Sequence, residues 1–469
     1  MKDRKLPFLS ATCAKIIFSQ KFWVKSPFPS LSDLNQEKPQ MKSQYLIPFL
    51  ALIVLCVGCK STEKAMRTVE SQRTTREAAY VATPPVDEPT LVGVTSKFLN
   101  VDSTRVRVFV YIDAVRGQQP LSVAEFAGLY NLNYVMYSDY GTRDRLAYGN
   151  VPLSPANLTK LDDQIVAQFE VKNPGKDYAV LLMEISQTGT LKKVLNDLPI
   201  RFREQRDSDK LAVFEQQQTA PLRRHFISKN ETVKIETLDG RSRPLQVYYY
   251  KHGFDAAPSP MNTTPRTALA KTLSVDSTFS IQSGQAIAFS QEGLYYFLTD
   301  TTQTEGLGLL VTDDRYPKMT QPEKLTEPLL YMSTNQEIKD MDAARDYKKA
   351  LDKYWLSLMQ GNPELARQVI RSYYGRVEEA NRLFTSYKEG WKTDKGMIFI
   401  VLGPPDKVQR SKDKEVWVYD QKANATNVNF TFNRRTNQFV DDHYELVRYV
   451  EYQPIWYPIV EAWRNGAIR

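Results

Sequence analysis

Cysteine and histidine are almost missing from this chain. Three cysteines among 469 residues exclude a disulfide scaffold. Three histidines, His225, His252 and His443, stand far apart in sequence, and no H-E-x-x-H, G-x-S-x-G or Walker loop occurs. No apolar run reaches the roughly 20 residues of a bilayer-spanning helix. A charge excess is lacking too. The formal net charge of +8 comes from 62 Lys/Arg and 54 Asp/Glu. Residues 1–58 hold eight of the former and three of the latter, so the remainder is nearly neutral. Net charge therefore gives no argument for nucleic acid. What is abundant is apolar: 42% hydrophobic residues with 11% aromatics exclude a disordered chain. At roughly 150 residues per domain, the length allows about three domains.

The segment from Met41 reads MKSQYLIPFLALIVLCVGC. After Lys42, the apolar run Tyr45–Val57 has 13 residues, interrupted by Pro48. That is too short to span a bilayer and suits a signal peptide. Cys56-Val57-Gly58-Cys59 then resembles the lipobox of bacterial lipoproteins. The resemblance implies diacylglyceryl attachment at Cys59, cleavage after Gly58 and acylation of the new N-terminus. Two or more acyl chains anchor stably where one is marginal. The same four residues form a C-x-x-C, but no second cysteine pair completes a zinc site. Residues 41–58 thus read as a lipoprotein signal peptide and residues 1–40 as a non-native upstream extension; the alternative is a cytoplasmic extension on an uncleaved anchor. Residues 59–93, polar and then rich in proline, read as a tether. Ser61-x-x-Lys64 within it matches a nucleophile motif only formally. The expected location is the outer membrane, facing the periplasm, because no dense acidic run follows Cys59.

Two β-rich stretches follow. Arg105–Asp113, Asn131–Tyr137 and Ile165–Val171 alternate in polarity, Tyr178–Ile185 is almost continuously apolar, and Leu198–Phe202 closes the set. Turns between short strands predict an antiparallel sandwich over 94–207. Thr232–Glu236, Leu245–Tyr250, Phe279–Ile281, Ala286–Phe289, Gly293–Thr299 and Gly308–Thr312 predict a second sandwich over 208–318. In Tyr248-Tyr249-Tyr250-Lys251-His252, alternation sets Tyr249 opposite its neighbours, as in an ordinary strand.

Residues 319–333 read as a linker, since Tyr316 to Tyr331 carries three prolines. Thr334 and Glu337 form a capping box for a helix running to Leu358 through Ile338, Met341, Ala344, Leu351 and Trp355. Asn362 and Pro363 start a second helix, with Val369, Ile370, Tyr373, Val377, Ala380, Phe384 and Tyr387 on one face, ending at Gly390. A helical hairpin follows, with the aromatic stripe as core. Met397–Leu402 then reads as a strand, followed by Glu415–Tyr419, Val428–Asn433 and Tyr444–Arg448.

Gly390-Trp391-x-Thr393-Asp394, Gly396-x-Ile398-x-Ile400 and Gly403-Pro404-Pro405-Asp406 resemble the GWxTD domain of bacterial lipoproteins. Tyr373-Tyr374-x-Arg376-Val377 upstream and Val416-Trp417-x-Tyr419 downstream extend the resemblance, which covers about residues 330–450. It implies an arrangement of lipobox, β domains and C-terminal domain, and no reaction. The fold class expected is mainly β with an α+β C-terminal domain over 334–469, a helical hairpin on a small antiparallel sheet.

The motif residues have structural roles available. Gly390 would end the helix in a left-handed conformation, Trp391 would fold back onto the hairpin, Asp394 would cap a turn, and Gly403-Pro404-Pro405 would end the strand. In a functional reading, Asp394, Asp406, Trp391 and Trp417 would line a groove at one sheet end. All tryptophans after residue 58 (355, 391, 417, 456, 463) lie in this last domain, which suits a recognition surface or a single core. Asp441-Asp442-His443 could gather a metal or a proton but also reads as a hairpin turn, Asp313-Asp314 as a solvated strand end, and Ser411-x-x-Lys414 as a charged loop. The favoured function is a non-enzymatic envelope component, held to the membrane by lipid on Cys59, whose C-terminal domain engages a protein or glycan. No cofactor, metal or nucleic acid is implied. The alternatives are an envelope hydrolase using Asp394 and Asp406 as a carboxylate pair, and a subunit of a secretion or surface-motility assembly.

Overall fold

The computed structural model describes residues 88–202, 206–251, 253–264, 273–420 and 427–468. The signal segment, Cys59, the tether up to residue 87 and His252 lie outside the described residues.

The first sandwich pairs β1 (Pro89–Asn100), β2 (Arg105–Arg116), β7 (Gln164–Lys172) and β6 (Leu158–Leu161), with the short β3 (Gln119–Pro120) on β2. Its second sheet runs β5 (Arg145–Val151), β4 (Tyr130–Tyr137), β8 (Tyr178–Gln187), β9 (Lys193–Arg201). Val106, Val108, Val110 and Ile112 of β2 meet Leu181, Met183 and Ile185 of β8 in one core. Helix α1 (Val123–Leu129), capped by Ser122 and Glu125, inserts Phe126 beneath. Two expectations shift. β1 starts at Pro89, which takes 89–93 out of the tether; proline is tolerated as a strand's first residue. The outer face of β8 carries half-buried Leu182 and Glu184, so it is not covered equally on both sides.

The second sandwich sets β10 (Leu211–Glu215), β12 (Thr232–Thr237) and β15 (Ala286–Ala288) against β11 (Phe226–Ser228), β17 (Leu307–Thr312), β16 (Gly293–Leu298), β13 (Pro244–Tyr250) and β14 (Ser277–Gln282). Only β11–β17 among these pairs is parallel. Tyr249 faces the core with Val233, Val247 and Phe297. Tyr250 points the other way, as alternation requires, and packs with Tyr296, Leu310, Phe439 and Val440. The outer face of β1–β2–β7 is covered likewise: Leu99, Phe109 and Tyr111 pack on Ala212, Phe214 and Ala220. Each sandwich therefore presents an apolar outer face to its neighbour.

The C-terminal domain begins earlier than a linker over 319–333 would allow. Helix α2 (Pro322–Thr326) and a 3-10 turn (Glu327–Tyr331) occupy that stretch and bury Leu329, Tyr331 and Met332. Pro322 and Pro328 sit at first-turn positions, where the missing N–H costs nothing. The expected long helix is two, α3 (Asn335–Asp342) and α4 (Tyr347–Leu358), because Asp346 caps Lys349 N–H and restarts the chain. Helix α5 (Pro363–Phe384) starts at Asn362 as expected but ends six residues before Gly390. The largest correction is Met397–Leu402, which forms helix α6 (Asp394–Leu402), not a strand. Met397, Ile398, Ile400 and Val401 are fully buried, so no polar face marks the helical period. A four-stranded antiparallel sheet follows in sequence order, β18 (Lys407–Arg410), β19 (Lys414–Asp420), β20 (Asn427–Arg434) and β21 (Tyr444–Leu446). The final helix α7 (Gln453–Arg464) sets Trp463 edge-on to Tyr373 at 5.4 Å. The fold is thus mainly β, with helices packed on a small sheet at the C-terminal end.

Candidate functional site

The motif Gly390–Asp394 is a helix start. Gly390–Lys392 form a 3-10 turn, and Thr393 is the N-cap of α6: its Oγ1 accepts from Gly396 N–H at 3.0 Å and donates to Gly390 O at 2.7 Å. Gly390 is not left-handed, contrary to expectation. It is glycine because α5 lies against it: a Cβ there would come 2.1 Å from Ala380 O. Buried Asn381 receives the turn, accepting from Trp391 N–H at 3.0 Å and donating to Pro317 O at 3.0 Å.

Trp391 is 2% exposed, T-shaped against Tyr331 at 6.2 Å. Trp417 is 3% exposed, and its Nε1 donates to Glu415 at 2.6 Å. Trp355, Trp456 and Trp463 are buried as well, so the tryptophans form a core. Burial alone would raise the Glu415 carboxyl, but Lys395 at 3.2 Å and Arg410 at 3.3 Å hold it below the usual range.

Asp394 does not cap its own turn. Its carboxylate pairs with Arg448 and accepts from Leu446 N–H at 2.8 Å, tying α6 to β21. Gly403, at φ 88°, ends α6, whose last carbonyls accept from Arg376 (3.3 and 3.2 Å) and from Trp463 Nε1 (3.0 Å). Asp406 is exposed and accepts from Asp420 N–H at 2.8 Å. Asp394 thus faces the cleft described next while Asp406 does not, and each carboxylate is already bonded. The expected carboxylate pair is not assembled, and neither is a groove holding both Trp391 and Trp417. We expect Asp394→Asn to cost about 2 kcal/mol, one hydrogen bond to a charged partner. Asparagine still accepts from Leu446, and Arg448 keeps its bonds to Leu446 O and Pro258 O. Urea unfolding checks it; a loss below about 1 kcal/mol would make the ion pair dispensable.

The cleft has a volume of about 1040 Å3. The first sandwich contributes Lys97 and Arg201, the second Arg223, His225 and the loop Asn262–Thr264, and the C-terminal domain Asp394, Pro404, Pro405 and Trp417. Asp441 locks the walls together, accepting from Arg206 at 2.8 Å and Ser208 at 2.5 Å, with Arg201 at 3.2 Å. Burial opposes its charge, but Arg201 and Ser208 keep its carboxyl low; burial and Asp441 together raise neighbouring Asp209. His443 stands instead 3.5 Å from Glu445 and Asp442 3.6 Å from Arg434, both within the C-terminal domain, so the three do not gather at one point and Asp441 is the interdomain clasp. No metal-holding group of His, Cys, Asp or Glu occurs among the described residues. Lys97 and Arg223 have no signature in the sequence, because residues 126 apart meet only through sandwich packing.

Residues 293–465 match the family model described as GWxTD domain. The match starts at β16, which pairs within the second sandwich yet packs through Tyr296 on Phe439. No curated protein matches the chain. Among solved structures it is similar to "Biofilm associated protein - BSP domain", at 10% identity and a TM-score of 0.17. That similarity covers 53% of this chain and 56% of that one, so the chain spans about half the other's length; so low a score carries no argument. Residues 293–465 thus match the GWxTD domain, and helix α6 starts within that match, at the motif.

Proposed function

We propose that this chain is a lipid-anchored envelope protein that binds, without chemistry of its own, an envelope protein or glycan in the cleft between its sandwiches and its GWxTD domain. The observation that carries this reading is the cleft itself: about 1040 Å3, with walls from both sandwiches and from the motif residues Asp394, Pro404, Pro405 and Trp417. Pockets of this size at domain boundaries are where ligands collect. Asp394, the motif carboxylate on the cleft wall, is engaged by Arg448 and Leu446 N–H, which favours binding over hydrolysis.

No helix among the described residues is long and apolar enough to cross a membrane. In this reading, attachment rests on acyl chains at Cys59. Cys59→Ser is expected to move the protein from the membrane to the soluble fraction or leave it unprocessed. A mutant that still fractionates as a mature membrane protein would remove the anchor from this proposal. For the cleft, a photoreactive side chain at Val408, on its wall, is compared in native membranes with one at Leu356, exposed on α4. The expected result is one discrete adduct from Val408 and none from Leu356. Equal labelling from both positions, or none from Val408, would overturn the cleft as binding site.

A further inference from the structure

Charged groups in the cleft are mostly paired. Arg201 holds Asp209 at 2.5 Å, Arg410 holds Asp197 at 2.7 Å, Arg434 lies 3.6 Å from Asp442, and Arg448 holds Asp394. Two cations break that pattern. Among the described residues, Lys97 and Arg223 have neither an ion pair within 4.0 Å nor a side-chain hydrogen bond, and both line the cavity. His225 beside them has no hydrogen-bonded partner for its imidazole either.

Their placement is enforced by the fold. Lys97 is in β1, whose outer face is covered by the second sandwich through Leu99, beside Phe109 of β2. Arg223 and His225 come from the segment that enters β11. The same interdomain packing therefore brings a lysine from one sandwich to an arginine and a histidine from the other. Unpaired cations in a partly desolvated wall are costly, and folded proteins normally pair them. Burial lowers Lys97 to about 8, even with Asp441 and Asp209 pulling the other way. Burial also lowers Arg223, and it lowers His225 to about 4, helped by the positive charge of Lys97. The groups facing this corner are Asp209, Asp441, Asp442 and Asp113 on the acidic side, Arg382 on the basic side and the phenol of Tyr111, with Arg201 on the same cavity wall. Asp209 and Asp441 are already engaged by Arg201, Arg206 and Ser208.

We propose that Lys97, Arg223 and His225 form an oxyanion subsite that takes a phosphate or carboxylate group of the ligand entering the cleft. This deepens the binding reading above and rests on it. Arg223 supplies a planar fork of N–H donors, Lys97 a point charge, and the neutral His225 imidazole one N–H. The ligand class is an acidic one: a phosphorylated molecule or an acidic sugar. Both present an oxygen anion, and the probes separate them.

The test uses the full mature chain. Thermal unfolding is followed with inorganic phosphate, with sulfate and with glucuronate, alongside Lys97→Met and Arg223→Gln. An oxyanion subsite raises the wild-type melting temperature with at least one probe, and each substitution weakens that probe's apparent affinity by about tenfold or more. A response to phosphate and sulfate assigns a phosphorylated ligand; a response to glucuronate alone assigns an acidic sugar. Sulfate does not titrate in this range, so its effect should fade as pH rises through about 8, where Lys97 loses its proton. Without anion, Lys97→Met should melt higher than wild type at pH 7. The lysine is more basic unfolded than folded, so its charge penalises the folded state at low pH and the difference closes as pH rises past the unfolded pKa. No response to any of the three anions, or a response unchanged in both variants, would overturn the subsite. Cleft labelling at Val408 with no anion response would remove the subsite alone; an anion response without labelling would remove the larger binding reading alone.

Discussion

Gly390→Ala is expected to unfold the GWxTD domain at conditions where the wild type is fully folded. The added Cβ would stand 2.1 Å from Ala380 O and 2.7 Å from Asn381 Cα. Both obstacles are backbone in the last turns of α5, so no side chain can swing away. An ordinary carbon–oxygen contact needs about 3.3 Å, so the 3-10 turn and α5 must separate by about 1 Å. Overpacking of that kind costs about 1–3 kcal/mol. Separation also stretches the bonds that seat the turn, Trp391 N–H to Asn381 Oδ1 and Gly390 N–H to Thr385 Oγ1. Each buried amide left unsatisfied adds about 1–3 kcal/mol. The sum, on the order of 5 kcal/mol, reaches the lower end of a domain's whole stability. Gly375 is the control: it lies within α5 with nothing near its missing Cβ. Gly375→Ala should stabilise by about 0.5–1 kcal/mol, the helix-propensity difference. Urea unfolding read by tryptophan fluorescence checks both, since every tryptophan after residue 58 lies in this domain. A Gly390→Ala protein with a midpoint near wild type would mean that α5 yields cheaply, and the steric account would fail.

Gly396 obeys the same logic one turn later, with a Cβ only 1.9 Å from Gly390 O. The two glycines of Gly390-Trp391-x-Thr393-Asp394-x-Gly396 thus face each other across a turn too tight for any side chain. A sequence shows that glycines are there. It does not distinguish a glycine required by left-handed backbone from one required by a neighbour, because the neighbour, Ala380, is set by tertiary packing. That is why Gly390 reads as a helix cap in the sequence and is a contact point in the fold.

The sandwiches were legible for a different reason. Their strands alternate wherever one face meets a core, as in Val106, Val108, Val110 and Ile112. Legibility fell where a segment is buried all round. Met397–Leu402 has no polar face, so strand and helix are indistinguishable by period, and the Thr393 N-cap was the one local sign of a helix. It fell again where two short helices share one core: α3 and α4 keep a common period across the break, and only Asp346 marks the restart. Short strands such as β10, β11 and β6 carry too few residues for alternation to show. The cleft was illegible in principle. Motif letters predicted Asp394, Asp406, Trp391 and Trp417 along one groove; Asp394 and Trp417 line the cavity, and Asp406 and Trp391 do not. The cations opposite them come from the sandwiches, through contacts that no local pattern encodes.

Trp391→Ala is expected to cost about 3–5 kcal/mol, the range for truncating a buried large aromatic. The side chain is 2% exposed, and its backbone carbonyl accepts from Tyr331 at 2.8 Å. Tyr331 comes from the turn before α3, Trp391 from the turn before α6, and Asn381 from α5, so one residue joins three otherwise separate segments. Lys392 contributes a cation 5.3 Å from its ring. Removing the indole leaves a void beside an existing recess of about 380 Å3 lined by Leu330, Ile338 and Met341. The enlarged space opens to water through that recess, which lets solvent into the core and places the expected cost toward the upper end. Trp391→Phe keeps an aromatic ring and should lose markedly less, about 1–2 kcal/mol for an imperfect hydrophobic swap. Cleft labelling through Val408, measured on whatever fraction remains folded, should be unchanged in Trp391→Phe, because Trp391 lines the small recess and not the cleft. If Trp391→Ala instead unfolded like wild type and lost only the Val408 adduct, the tryptophan would be a ligand contact, and the structural account of the motif would be wrong at its most conspicuous residue.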